Sequence, residues 1–216
     1  MKLQNEEYRH FRTAVFFSLG IALLLAVFVA IYGKDQSFLM INGHYSLQAD
    51  YFFNYVTYLG DGLIWIPLFL YVLVYRRDFF IAVLASLLIC TLLTHLGKRV
   101  IFAEAPRPLR VLHDLARAVP LMAGRDNYVN SFPSGHTSTA FTFALLLAFL
   151  VRREFAIYVF PLLAFLVGYS RVYLAQHFAT DVLAGIVIGT VSAYLALVIY
   201  DAWRRKKKAK RTEASP

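Results

Sequence analysis

The sequence predicts an all-α membrane protein, a bundle of six transmembrane helices with an extracytoplasmic loop region and a short interfacial helix. Of its 216 residues, 59% are hydrophobic and 16% are charged. Soluble domains average roughly 45–50% apolar and about 25% charged residues. The apolar residues also form long charge-free runs, and the basic residues lie between these runs. Composition and patterning therefore both indicate a chain that crosses a lipid bilayer several times.

Six stretches can form the spanning helices of a single domain. A span needs about 20 apolar residues, within a range of roughly 17–25. The first, third and sixth stretches meet this length directly, whereas the others are short unless their polar ends lie in the headgroup layer. The predicted spans are 13–33, 61–76, 79–98, 135–151, 155–171 and 181–200, and a basic cytoplasmic tail, 201–216, follows.

Lysine and arginine in the connections predict the orientation. With six spans, the arginine pairs at 76–77 and 152–153 fall on the same side as both basic termini. The positive-inside rule places that side in the cytoplasm of an inner, or plasma, membrane. The extracytoplasmic side then holds residues 34–61, 98–136 and 171–181. Within the first of these, the aromatic segment Tyr45–Tyr58 is expected to form the interfacial helix.

The segment 98–136 departs from this charge pattern, because it carries cations on the side that should be poor in them. They are Lys98, Arg99, Arg107, Arg110, Arg117 and Arg125. Four prolines prevent the segment from forming one long helix. An anionic ligand would explain these cations. Nucleic acid is excluded as the partner, because the basic residues alternate with apolar spans and so fit anionic lipid better.

Residues suited to phosphate chemistry lie at the predicted helix ends on the extracytoplasmic side. His177 and Asp181 are four residues apart and share one face if that stretch is helical. A carboxylate bonded to one imidazole nitrogen leaves the other nitrogen nucleophilic. His136 can then protonate the leaving alcohol and later deprotonate water. The sequence therefore predicts these three residues as the catalytic group.

Cations and helix-start amides can bind the phosphoryl group of the substrate. Arg107, Arg171 and Lys98 supply positive charge, and the backbone N–H groups of Ser134, Gly135 and His136 can hold phosphate oxygens. The sequence offers no carboxylate cluster typical of a metal site, so we expect neither a metal nor another cofactor.

Two of these stretches resemble motifs of a known family. Pro133-Ser134-Gly135-His136 resembles the second motif of the type 2 phosphatidic acid phosphatase family, which is related to vanadium haloperoxidases. Ser170-Arg171, followed by five residues, His177, three residues and Asp181, resembles the third motif. The first motif is a lysine, six residues and Arg-Pro. Arg107-Pro108 is present, but position 100 is Val100. Lys98 is therefore assigned to the motif, with Arg99 as the alternative.

The resemblance implies a metal-independent lipid phosphatase with a phosphohistidine intermediate. His177 matches the family's nucleophile, Asp181 its orienting carboxylate and His136 its general acid and base. The positions that match phosphate binders are Lys98, Arg107, Ser134, Gly135 and Arg171. Phosphatidic acid, phosphatidylglycerophosphate, undecaprenyl pyrophosphate and phosphorylated lipid A all fit the family. A lipid phosphotransferase using the same site, or a non-enzymatic lipid-binding or transport protein, remain alternatives.

Overall fold

The protein is entirely helical in the part of the chain that the structure describes. This structure is a computed structural model that describes residues 6–119 and 128–213, so Arg125 lies outside it. The longer helices are α1 (Glu6–Tyr32), α5 (Phe80–Leu96), α7 (Gly135–Val151), α8 (Glu154–Tyr173) and α9 (Ala179–Glu213). The shorter ones are α2 (Lys34–Asn42), α3 (Leu47–Val56), α4 (Trp65–Tyr75) and α6 (Pro108–Val111). The all-α class is therefore confirmed.

Several of these helices can cross a membrane. In the described ranges, four are long and apolar enough, namely α1, α5 with its flanking turns, α8 and α9. The stretches Leu47–Gly60 and Gly62–Tyr75 make a fifth candidate together, although the chain bends by 56° between them. Helix α7 is apolar but has only 17 residues. Together these helices indicate a multi-pass membrane protein, while the exact count of six spans stays a prediction.

The second predicted span does not begin as one helix at residue 61. Asp61 caps a 3-10 turn, Gly62–Ile64, by accepting a hydrogen bond from the Leu63 backbone N–H at 3.1 Å. Helix α4 starts only at Trp65. The aromatic segment before the bend contains α3 and a second 3-10 turn, Thr57–Gly60.

The basic tail continues the last helix. Helix α9 extends through Glu213, because the chain beyond residue 200 contains neither proline nor glycine that would end a helix before that point. Cation–π contacts also support the tail, since Arg204 lies 5.4 Å from the Tyr200 ring centroid and Lys207 lies 4.8 Å from that of Trp203.

Helix α7 lies at the centre of the bundle and packs closely against α9. Gly185 and Gly189, four residues apart on α9, allow this approach. A Cβ atom at Gly189 would lie 2.7 Å from Phe141 Cβ, and one at Gly185 would lie 2.7 Å from Thr137 Cβ. The approach brings the first turn of α9 beside the start of α7, where the Ser134 N–H donates to the Asp181 carbonyl at 3.0 Å.

The described parts of the segment between α5 and α7, residues 97–119 and 128–134, fold over this end of the bundle. Its chain pairs with itself where the Ser131 N–H donates to the Ala105 carbonyl at 3.0 Å. Further along, Arg117 forms an ion pair with Asp50 at 2.7 Å, and its backbone N–H donates to Asn42 Oδ1 at 2.7 Å. Arg117 therefore neutralises a carboxylate within the protein and does not contribute a cation for a ligand.

Candidate active site

His177 and Asp181 form a buried pair beside the start of α9. The His177 Nδ1 atom lies 3.2 Å from Asp181 Oδ2, and both side chains are buried. The stretch between them is not helical throughout. Helix α9 begins at Ala179, so His177 lies in the preceding turn and Asp181 reaches it from the first turn of the helix. With Nδ1 bound to the carboxylate, Nε2 is the nitrogen available for attack.

Three donors hold the Oδ2 atom of the Asp181 carboxylate. Besides His177, its Oδ2 atom accepts the Ser131 hydroxyl at 2.5 Å and the Phe178 backbone N–H at 3.1 Å. The bond from Phe178 also satisfies a backbone N–H at the start of α9, so Asp181 acts as a helix cap as well. The carboxylate therefore has a fixed position relative to the His177 ring.

Burial determines the charge state of His177. Desolvation lowers its pKa from the ordinary value of 6.5 to about 3, although the hydrogen bond and negative charge of Asp181 act in the opposite direction. Nearby Lys98 and Arg171 also disfavour the imidazolium form. At neutral pH the His177 ring is therefore uncharged, as a nucleophile must be.

Two buried arginines lie beside this pair. Arg107 Nη1 donates to the Gln176 carbonyl at 3.1 Å and to Gln176 Oε1 at 3.0 Å. Burial lowers the pKa of Arg107, but the ordinary value is so high that the guanidinium stays charged at neutral pH. Arg171 Nη1 donates to Thr57 Oγ1 at 2.7 Å. The Arg171 carbonyl also accepts the His177 backbone N–H at 3.2 Å, which keeps the two residues together.

Lys98 is the third cation at the site. It lies in a π-helical turn, Gly97–Ile101, that follows α5. Its side chain is half-buried and passes Gly135, with Cε 4.0 Å from where a Cβ of residue 135 would be. Arg99, the alternative for the first motif, is exposed. The structure therefore brings Lys98, and not Arg99, next to the start of α7.

The start of α7 supplies backbone donors. Ser134 is the N-cap, and its hydroxyl accepts the Thr137 N–H at 3.4 Å and the Thr137 hydroxyl at 2.9 Å. The N–H groups of Gly135 and His136 belong to the first helical turn, where a helix has no internal acceptor for them. His136 also interacts electrostatically with Lys98 and His177. Such a helix start favours an anion.

All eight predicted site residues therefore lie at one end of the bundle. Within residues 6–119 and 128–213, no three His, Cys, Asp or Glu side chains come close enough together to hold a metal ion.

Sequence reasoning missed several residues that orient this site. Ser131 holds Asp181, Gln176 holds Arg107, and Thr57 holds Arg171. When the side-chain amide of Asn130 is oriented with its nitrogen towards residues 98 and 103, it donates to the Lys98 and Ala103 carbonyls at 2.8 Å each. Asn130 and Ser131 lie three and two residues before the start of the motif at 133–136, and this closeness was the available signal for them. Thr57 and Gln176 carry no comparable signal.

Comparisons with known proteins identify the family of this chain. Residues 79–205, which include all eight site residues, match the family model of the PAP2 superfamily. Lipid A 4′-phosphatase of Porphyromonas gingivalis is 30% identical over 76% of this chain and 71% of the relative. The crystal structure of Aquifex aeolicus LpxE has a TM-score of 0.67 and 30% identity, covering 76% of this chain and 94% of that one.

A second solved structure, the transmembrane PAP2-type phosphatidylglycerolphosphate phosphatase of Bacillus subtilis, has a TM-score of 0.59. It is 26% identical and covers 87% of this chain and 96% of that one. The resemblance to this family, first seen in the two motifs, is thus confirmed by matches that cover most of the chain. This chain belongs to the PAP2 superfamily, and it is a membrane lipid phosphatase of that type.

Proposed function

We propose that this protein hydrolyses a lipid phosphate in two steps, through a phosphohistidine formed on His177. The observation that carries the proposal is the buried, uncharged imidazole with its Nδ1 atom 3.2 Å from Asp181. This bond directs the Nε2 lone pair away from the carboxylate, towards the side of the ring where a phosphate can bind.

In the first step, His177 Nε2 attacks phosphorus and the bond to the lipid oxygen breaks. His136 gives its proton to that oxygen, which leaves as an alcohol. In the second step, His136 takes a proton from water as the water oxygen attacks phosphorus. The N–P bond breaks, and His177, inorganic phosphate and a protonated His136 are restored. Asp181 stabilises the positive charge that develops on the His177 ring during both steps.

Binding of the phosphoryl group rests on fixed positive charge. Lys98 and Arg171 are close enough to act electrostatically on His177, and Arg107 is close enough to act on Lys98. The N–H groups of Gly135 and His136 add helix-start donors. These groups are oriented before substrate binds, so they stabilise the transition state with little reorganisation. Because the cations supply the electrostatic stabilisation, we propose that turnover does not require a metal ion.

The location of the site fits a substrate anchored in the bilayer. We propose six spans, both termini in the cytoplasm and the active site at the extracytoplasmic face of the inner, or plasma, membrane. The basic residues of the two short turns and the tail support this orientation. Large apolar side chains such as Phe16, Leu23 and Leu24 point outward from α1, as expected for a lipid-facing surface. A site at the helix ends lies at headgroup depth, where a lipid already holds its phosphate.

The names of the relatives suggest which lipids to test. One relative acts on lipid A and a solved neighbour on phosphatidylglycerolphosphate. We propose a phosphomonoester or pyrophosphate of such a lipid as the substrate. The panel is phosphorylated lipid A, phosphatidylglycerophosphate, phosphatidic acid and undecaprenyl pyrophosphate.

The test is phosphate release from these four lipids by purified protein in detergent, with EDTA present. His177→Ala should abolish release, whereas His113→Ala is the matched control, because His113 is exposed and pairs with Asp114. A substrate labelled with ³²P should also leave acid-labile label on the native protein. Release that persists in His177→Ala, or inhibition by EDTA, would refute the mechanism. Label transferred to a second lipid would instead indicate a phosphotransferase, and binding without turnover would indicate a transport protein.

A further inference from the structure

A polar cavity lies beside His136, between α4, α5 and α7. Its volume is about 200 Å³. Among its lining residues are Asp61, Thr91, Thr94, His95, His136 and Thr139. Gly62 and His95 are exposed and so mark its opening. Neither His177 nor any of the three cations lines the cavity, but Gly135 at the start of α7 does, so the cavity adjoins the phosphate position on the His136 side.

The lining contains polar groups that the protein does not use itself. The Thr94 side chain is 91% buried (9% exposed), yet its hydroxyl makes no hydrogen bond of normal geometry within the described residues. The Cys90 thiol, a weak partner, lies close to it. A buried hydroxyl without a partner is costly. This cost is removed when a ligand in the cavity offers a hydrogen-bond partner.

Asp61 adds a charged acceptor at the edge of the cavity. Its Oδ1 atom accepts the Leu63 N–H at 3.1 Å, which fixes the side chain. No other hydrogen bond joins this carboxylate to the described part of the chain. The neighbouring Gly60 contacts the catalytic helix directly, because a Cβ there would lie 2.7 Å from the His136 carbonyl oxygen. Asp61 is therefore held close to the general acid.

The chemistry of the proposed reaction gives this cavity an occupant. In a phosphoryl transfer the attacking and leaving atoms lie roughly in line on opposite sides of phosphorus. His177 is on the attacking side, and His136 must lie next to the leaving oxygen to protonate it. The space beside His136 therefore receives the group attached to that oxygen.

We propose that this cavity binds the alcohol part of the substrate, and that Thr94 and Asp61 select a neutral, hydroxyl-bearing leaving group. The inference rests on the proposed function. A hydroxyl next to the scissile bond would donate to Asp61 or bond to Thr94. A diphosphate would instead place its second, anionic phosphate beside the Asp61 carboxylate, where like charges repel. The preferred substrate is therefore a phosphomonoester of a sugar or polyol headgroup.

Two single-chain substrates that differ by one hydroxyl test the role of Thr94. They are a 1-acylglycerol 3-phosphate and the same acyl chain on propanediol phosphate. Native protein should favour the first by about tenfold in kcat/KM, as expected for one hydrogen bond. Thr94→Val should bring this ratio close to one, and its melting temperature should not fall, since it removes an unsatisfied hydroxyl. Thr190→Val is the control, because Thr190 bonds within its own helix, to the Ile186 carbonyl.

Asp61→Asn removes the negative charge of residue 61 but keeps the side-chain oxygen that accepts the Leu63 N–H. It should raise kcat/KM for an alkyl diphosphate relative to the alkyl monophosphate. The expected gain is at least about tenfold, because two like charges even about 10 Å apart repel by about 1.7 kcal/mol at an effective dielectric constant of about 20, and the proposed contact is shorter.

The outcomes separate this inference from the function on which it rests. Turnover that depends on His177, with substrate ratios unchanged in Thr94→Val and Asp61→Asn, would overturn the leaving-group pocket and leave the proposed function standing. No turnover of either single-chain substrate by native protein that does hydrolyse a larger lipid would also overturn it. No turnover of any phosphate ester would overturn both.

Discussion

Replacing Ser131 with alanine tests whether the network behind His177 controls its reactivity. Ser131 is buried and donates to Asp181 Oδ2 at 2.5 Å, while its oxygen lies 3.5 Å from His177 Nδ1. It does not reach the substrate in the proposed mechanism, so it is a positioning residue. The substitution removes one donor from the carboxylate and leaves the His177 ring and the Phe178 N–H in place.

The size of the effect follows from the lost bond. A hydrogen bond to a charged group contributes about 1.5–3 kcal/mol, and about 1.4 kcal/mol corresponds to a tenfold change in rate. We therefore expect kcat to fall by about 10- to 100-fold. The fall in kcat should be smaller than that in Asp181→Asn, where the asparagine amide favours the wrong tautomer of the imidazole and can lower kcat by about 10⁴-fold.

The pH dependence gives a second, independent result. Without the Ser131 hydroxyl, the negative charge of Asp181 acts more fully on His177 and raises its pKa above the native value of about 3. Because the neutral ring is the nucleophile, the acid limb of kcat/KM should move to higher pH. Phosphate release measured from about pH 2 to 8, which covers both sides of the native value of about 3, would record this shift.

The control is Ser192→Ala, which removes a buried hydroxyl that donates to the Ile188 carbonyl of its own helix. A Ser131→Ala variant with native kcat and an unshifted acid limb would refute the argument that Ser131 positions Asp181. A rate loss without any pH shift would refute the argument that Ser131 changes the charge that Asp181 exerts on His177.

Two further predictions concern stability. Gly189→Leu should lower the melting temperature in detergent, because its Cβ would lie 2.7 Å from Phe141 Cβ and overpacking costs about 1–3 kcal/mol. Gly20→Leu is the control and should leave the melting temperature unchanged, because the space around its Cβ is open. Equal melting shifts in the two variants would contradict close packing at Gly189. Acidification from pH 7 to 5 should destabilise native protein more than His177→Asn. The unfolded chain binds a proton at His177 below about pH 6.5 whereas the folded chain does not until about pH 3. Parallel melting curves would contradict the low folded-state pKa.

The features that could best be predicted from the sequence are those that depend on residues close together along the chain. Helix α7 covers the predicted residues, Gly135 to Val151, because Ser134 can cap it and Pro133 cannot continue a helix backwards. His177 and Asp181 could be paired because only three residues separate them. In both cases the interacting groups are close along the chain, so spacing alone constrains their geometry.

The contacts that orient the arginines could not be predicted in this way. Thr57 and Arg171 are 114 residues apart, and Arg107 and Gln176 are 69 apart. No periodic pattern connects such positions, because they meet only after the helices have packed. The 56° bend before Trp65 could not be predicted from the sequence either. The aromatic segment and the following apolar run each predict a helix, but neither fixes the angle between them.

The packing of α7 against α9 links the membrane fold to the chemistry of the site. A Cβ at Gly185 would lie 2.9 Å from the Ser134 carbonyl oxygen, so the first turn of α7 can approach α9 only because residue 185 has no side chain. The same approach allows the Ser134 N–H to bond to the Asp181 carbonyl. A larger residue at 185 would therefore displace the phosphate-binding helix start from the residue that orients the nucleophile. Activity should then be lost through misplacement of the two halves of the site, even in a variant that still folds.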